Sequence, residues 1–161
     1  MSGYPYIRRQ AVSLLVIAGL VAVTAGPAVA APPSGVVPGV DIVPPGHDFP
    51  TAWRVNNRGQ VLLFLSGLIW QRGLYTDIGG LGGGFTGAFG INDAGDVVGD
   101  SDLADGTRGV VWRRGRALEL DALGRETSQG DDINDSGLAV GLTSPGPFEP
   151  TRATVWDTGR R

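Results

Sequence analysis

The densest run of side chains able to do chemistry is Asp96, Asp100, Asp102 and Asp105. Within it, Asp100-Ser101-Asp102-Leu103-Ala104-Asp105-Gly106 comes within one residue of the Asp-x-Asp-x-Asp-Gly loop that wraps calcium, an ion that gathers several carboxylate and carbonyl oxygens at close spacing. The extra residue shifts the third ligand out of register and no Glu closes the far end. Asp100, Asp102 and Asp105 are therefore calcium candidates that read better as a solvated hairpin loop, and no other cofactor is implied. Gly99-Asp100-Ser101 has the order of a hydrolase nucleophile, but such a serine needs a base and no His follows it. His47 is the only histidine and lies in Pro44-Pro45-Gly46-His47-Asp48, where a lone imidazole is expected to be solvated. Arg113, Arg114 and Arg116 could meet an acidic ligand, although a solvated hairpin tip is the simpler reading. No pair of carboxylates is singled out by context as glycoside hydrolysis requires, so catalysis is not expected.

Composition narrows the classes further. All 13 basic residues are Arg, and Arg8 and Arg9 stand in the apparent leader, so the rest of the chain carries 11 Arg against 16 acidic residues. With no basic face, nucleic acid is not an expected partner. Cysteine is absent, which excludes a disulfide framework, a thiolate nucleophile and a thiolate zinc site. The 27 glycines, with short runs of Val, Ile, Phe and Trp, favour strands and tight turns over helices.

The first thirty residues have the order of an export signal. Arg8-Arg9 precede an apolar stretch from Ala11 to Val23, and Pro27-Ala28-Val29-Ala30 places small residues at both positions a signal peptidase reads. Cleavage after Ala30 is expected, leaving a secreted chain with no membrane anchor; the general secretory route is the default, since Ile7 and Ala11 depart from the twin-arginine pattern. Residues 31–39 read as a mobile Pro/Gly linker, and residues 40–161 as the folded domain.

These candidate residues sit on an internal repeat. Val55-Asn56-Asn57-Arg58-Gly59, Ile91-Asn92-Asp93-Ala94-Gly95 and Ile133-Asn134-Asp135-Ser136-Gly137 share one pattern, each followed by an apolar run. Leu68-Ile69-Trp70, Val110-Val111-Trp112 and Thr154-Val155-Trp156 form a second anchor, with a Gly three residues after each Trp. Asp77-Ile78-Gly79-Gly80-Leu81-Gly82 and Glu119-Leu120-Asp121-Ala122-Leu123-Gly124 form a third, and Asp41-Ile42 aligns with Asp77-Ile78. Units of about 40–76, 77–118 and 119–161 follow.

Asn and Asp side chains can bond their own backbone two residues on, and Gly accepts positive φ, so each first anchor closes a β-hairpin. Asn92, Asp93, Gly95, Asn134, Asp135 and Gly137 are accordingly structural. Trp70, Trp112 and Trp156, each ending a β-branched or apolar triplet, are expected in the core between neighbouring units.

Gly90-Ile91-Asn92-Asp93-Ala94-Gly95-Asp96-Val97-Val98-Gly99-Asp100-Ser101, then Val111-Trp112-Arg113-Arg114-Gly115, preceded by Thr76-Asp77-Ile78-Gly79-Gly80-Leu81-Gly82-Gly83, resembles the extracellular HAF-type repeat. The likeness runs from about Val40 to Gly159 and is best in the middle unit. Arg108-Gly109-Val110 stands where the family has His-Ala-Phe. The resemblance implies a secreted protein with a propeller-like β fold and no reaction.

The expected fold is thus all-β, with about three tandem repeats of ~42 residues, each holding three or four strands like a propeller blade. Closed propellers need at least about four blades. The third unit ends a strand short, and Val40-Asp41-Ile42 is a spare strand that could latch onto it; otherwise the array is incomplete, or pairs into a homodimer. A pseudo-threefold β-trefoil-like barrel is the alternative. The expected role is a non-catalytic binding or structural module meeting an extracellular ligand or envelope component. A glycan-acting hydrolase on the same fold, or a truncated repeat without autonomous function, are the competing readings.

Overall fold

The computed structural model describes residues 35–44, 46, 51–146 and 149–159. The expected signal segment and His47 lie outside the described residues. The chain divides into two compact units, Met1–Gly39 and Val40–Arg161. All strands among the described residues belong to the second.

Among the described residues eleven strands form three antiparallel sheets. The first holds β1 (Thr51–Val55), β2 (Val61–Phe64), β3 (Leu68–Gln71) and β4 (Leu74–Asp77) in sequential order. The second repeats that meander with β5 (Thr86–Ile91), β6 (Val97–Leu103), β7 (Gly106–Arg113) and β8 (Arg116–Glu119). The third has β9 (Thr127–Ile133), β10 (Leu138–Ser144) and β11 (Arg152–Asp157), with β10 central. Each sheet is open, and among the described residues no strand of one sheet pairs with a strand of another.

Strand alternation explains how the sheets are held. In the second sheet Val97, Val110 and Trp112 point to one face and join Leu62 and Ile69 of the first sheet around Ala88. Their neighbours Val98 and Val111 point to the opposite face and join Ile133, Ala139 and Trp156 of the third, with Leu120. A strand buried on both faces reads as a continuous apolar run, and Val97-Val98 and Val110-Val111-Trp112 are such runs. Each fully buried Val or Leu contributes about 1.5–3 kcal/mol, so two six-residue clusters carry much of the domain.

Each first hairpin has a β-bulge at the same place. The register shifts between Ala52 and Arg54, between Ala88 and Gly90, and where Gly130 and Asp132 oppose Gly141 and Val140. The residues left without a partner are Trp53, Phe89 and Asp131. Trp53 lies 4.8 Å from Phe64, and Phe64 5.9 Å from Phe89, so the first two bulges share one aromatic row. Gly99 and Gly141 face these bulges, where an added Cβ would run into the carbonyls of Gly87 and Gln129.

Two expectations are corrected. Residues 40–44 form no strand, and among the described residues β11 is an edge that pairs with β10 alone, so they contain no latch. A local bond competes with strand pairing there: Asp41 Oδ1 accepts the Val43 N–H at 3.1 Å. Trp70 is only half-buried, whereas Trp112 and Trp156 are 4% and 9% exposed. The latter two each have a preceding sheet to pack on, and Trp70 has none.

Gly99→Ala should lower unfolding stability by about 1–3 kcal/mol in urea titration, because the new methyl meets backbone that cannot give way. Gly39→Ala, with open space around it, should change it by less than about 0.5 kcal/mol.

Candidate functional site

The recurrent turns are the best-defined polar feature of the molecule. In each, the Asn N–H donates to the carbonyl four residues on, at 3.1, 3.1 and 3.0 Å for Asn56, Asn92 and Asn134. The Asn carbonyl accepts from Gly59, Gly95 or Gly137, which sit at φ of 72, 86 and 83°. The Asn Oδ1 caps N–H groups inside its own loop: Arg58 and Gln60, Asp96, and Ser136 and Leu138 in the three units. So far this is the local chemistry expected of the residue types.

The remaining groups act between units as well as within the loop, where Asn56 Nδ2 donates to Gln60 Oε1 at 2.7 Å and Asn92 Nδ2 to Asp96 Oδ2 at 3.5 Å. With its Oδ1 committed, the Asn amide presents Nδ2 outward: Asn56 Nδ2 donates to the Asn92 carbonyl at 2.8 Å, and Asn92 Nδ2 to the Asn134 carbonyl at 3.0 Å. The Asp side chains do not bond their own loop as expected. Asp93 Oδ1 accepts the Asn57 N–H and Asp135 Oδ1 accepts the Asp93 N–H, both at 2.8 Å. Asn57 Nδ2 adds a bond to Asp93 Oδ2 at 2.7 Å. These bonds from Asn57 hold the Asp93 carboxyl below the usual carboxylate range. The three turns therefore form a ladder running one way, each donating to the next.

Arg113 ties the second and third sheets at the same end. Its Nε and Nη2 reach Asp96 Oδ2 at 2.9 and 2.7 Å, while Nη1 donates to the Thr158 carbonyl and Nη2 to Thr158 Oγ1 at 3.0 Å. Arg113 is thus an internal clamp, not part of a solvated tip; Arg114 and Arg116 are exposed at the β7–β8 turn. Between the turns and the Trp-bearing strands lies an open depression of about 870 Å³, bordered by Arg58, Arg113, Arg114, Asp77, Asp96 and Asp135. Both signs of charge line it, so it favours neither anions nor cations.

The acidic run divides among three environments. Asp105 is exposed and ion-paired to Arg108 at 3.3 Å, and Asp102 Oδ1 accepts from Thr107 Oγ1 at 2.8 Å. Asp100 is 9% exposed and its Oδ1 has no hydrogen-bond partner among the described residues. It stands where the other units have Phe64 and Leu142, an apolar position. A Cβ on Gly87 would lie 2.5 Å from Asp100 Oδ1 and 2.9 Å from Phe89 Cζ, so the carboxyl occupies space only glycine leaves. Burial first, and then the Asp102 and Asp131 charges, push Asp100 up to about 6. Among the described residues no three His, Asp or Glu side chains are gathered as a metal would require.

Ser101 is fully buried; its Oγ accepts the Leu81 N–H at 2.9 Å and donates to the Phe85 carbonyl at 3.1 Å, so the hydroxyl is a structural link between β6 and the connection before β5. Trp156 Nε1 donates to the Asp121 carbonyl at 2.9 Å, whereas Trp112 Nε1 is buried without a partner among the described residues.

What sequence reasoning missed was direction. The recurrence of Asn-Asp marked these residues, but nothing local distinguishes a side chain bonding its own loop from one bonding a loop 36 or 42 residues away. The bulge aromatics had a signal, since Trp53 aligns with Phe89. Comparison of the chain with protein-family models, curated proteins and solved structures finds no match.

Asn92→Asp keeps the Oδ1 acceptor for Asp96 but turns the inter-unit donor into an acceptor facing the Asn134 carbonyl; unfolding stability should fall by about 1–3 kcal/mol. Asp100→Asn tests the buried carboxyl. A folded-state value raised above the unfolded 3.8 means the native state holds more protons between pH 3.8 and about 6, so stability falls as pH rises through that window. The variant should lose this falling limb and be more stable than the parent at pH 7, by on the order of 2 kcal/mol in denaturant titration.

Proposed function

We propose that this chain is a secreted, non-catalytic module of HAF-type repeats whose sheets are propeller-like blades, and that it acts by binding a protein, glycan or other envelope component outside the cell. The observation that carries the reading is the fate of the recurrent polar side chains. Asn56, Asn92, Asp93 and Asp135 are engaged in holding the units together, and Arg113 clamps β7 to the end of the third sheet. Ser101 is likewise committed to backbone partners. What the framework leaves for a ligand is exposed loops and sheet surface, which suits binding and not bond cleavage.

One observation favours a second reading. Asp100 breaks the repeat with a buried carboxyl raised to about 6, the property of a general acid, and Asp102 and Asp131 are its charged neighbours. A glycan-acting enzyme would need one of these as the second carboxylate.

Expression of the full chain in a secreting bacterial host separates the readings. The expected product is found in the medium, begins at Ala31, sediments with isolated cell-wall material, and cleaves none of a panel of aryl glycosides. Retention inside the cell would overturn the export assignment. Glycoside turnover that disappears in Asp100→Asn would overturn the non-catalytic one.

A further inference from the structure

The three units are not equivalent in what covers them, and the differences point one way. Val98 and Val111 of the second sheet are 0% and 2% exposed because the third sheet packs on them; their counterparts Val140 and Val155 of the third sheet are 41% and 60% exposed. Asn56 and Asn92 are 9% and 4% exposed beneath the turn that follows each, whereas Asn134 is exposed. Its Nδ2, and the Asp135 N–H, have no partner among the described residues; in the first two units the same groups donate to the next turn.

The opposite end of the array offers the complement. Among the described residues the Asn56 carbonyl accepts only from Gly59, while the Asn92 and Asn134 carbonyls each also accept from a preceding Asn. Asn57 stands where later units have Asp93 and Asp135; its Nδ2 is committed forward to Asp93, and its Oδ1 is without a partner among the described residues. On the adjoining sheet face Val61 and Trp70, counterparts of the buried Val97 and Trp112, are half-buried, and Val55 is 67% exposed. One end is thus missing acceptors and an apolar cover. The other presents two acceptors and an apolar face, in the register already used twice inside the chain.

We propose that the open face of the third sheet binds the first sheet of a second copy of this chain, continuing the ladder: Asn134 Nδ2 to the second copy's Asn56 carbonyl, and the Asp135 N–H to its Asn57 Oδ1. The contact is head-to-tail, so it must either close into a ring or run on as a filament. Propellers close with about 4–8 blades, and six is the only multiple of three in that range, so two copies related by a twofold axis close the ring with two identical interfaces. The proposal rests on the repeat-module reading and names its partner as the chain itself. The geometry also gives Trp70 the cover that Trp112 and Trp156 already have.

The test is light scattering coupled to size exclusion on the chain recovered after export, with variants at exposed positions that leave the monomer's own contacts intact. The native chain is expected to have the mass of two copies. Asn134→Asp keeps the loop-capping oxygen but removes the outward donor, and should weaken association at least tenfold with an unchanged melting profile of the monomer. Val155→Asp and Val55→Asp should each give monomers alone, yet form a one-to-one pair when mixed, because one intact tail and one intact head remain. A native monomer at 100 μM, a particle larger than two copies, or loss of the pair by Val155→Asp but not Val55→Asp would overturn the closed head-to-tail pair. A monomer that still sediments with cell-wall material would do so while leaving the proposed function standing.

Discussion

The structure depends on a hydrogen bond that each of the first two repeats makes with its successor. Once Asn56 or Asn92 has turned its Oδ1 inward to cap its own loop, one N–H of its Nδ2 stays on the Gln60 or Asp96 side chain of that loop, and in a nearly dry site the other must find an acceptor. The next loop supplies a backbone carbonyl, and that loop's Asp collects the neighbouring N–H. A loop that closes correctly therefore dictates the position of the following loop to within hydrogen-bond tolerance. The sheets below are carried along with it, and the alternating Val97 and Val98 land between neighbours on both sides.

Two kinds of cohesion divide the labour. The apolar clusters are non-directional and set how strongly the sheets adhere; the ladder is directional and sets their register. Burial alone would tolerate sliding of one flat sheet over another, whereas the Asn92 and Asp93 bonds fix a single offset. The bulges at Trp53, Phe89 and Asp131 add a bend at a constant height, and the glycines opposite them let the bulged backbone approach closely in the second and third units. In a quasi-one-dimensional array of this kind each unit depends on its neighbours, so incompleteness appears at the ends: Trp70 at one, Val140, Val155 and Asn134 at the other.

Residues that break the repeat stand out against this framework. Asp100 replaces the apolar Phe64 and Leu142 of the other units and leaves an oxygen unpartnered in a dry site. Arg113 has Arg-lined surroundings in sequence but is drawn inward by Asp96 and Thr158. The acidic run that looks like a loop of metal ligands is instead separated by strand geometry, with Asp100 buried, Asp102 on a threonine and Asp105 on an arginine.

The amino-acid sequence by itself determined the all-β character, the three recurring turns and which of their residues matter, because Asn, Gly and apolar alternation act over a few neighbours. It also marked Trp70, Trp112 and Trp156 alike as core, since each ends a β-branched or apolar triplet; Trp112 and Trp156 are buried and Trp70 is half-buried. Tertiary structure alone decided what reaches across units: that Asp93 and Asp135 serve the preceding loop, that Arg113 is a clamp, that Trp70 lacks a cover and that Val40-Asp41-Ile42 makes no strand. The same residue types satisfy a local and a distant partner equally well, and only the stacking of one sheet on the next brings the distant partner near enough to win.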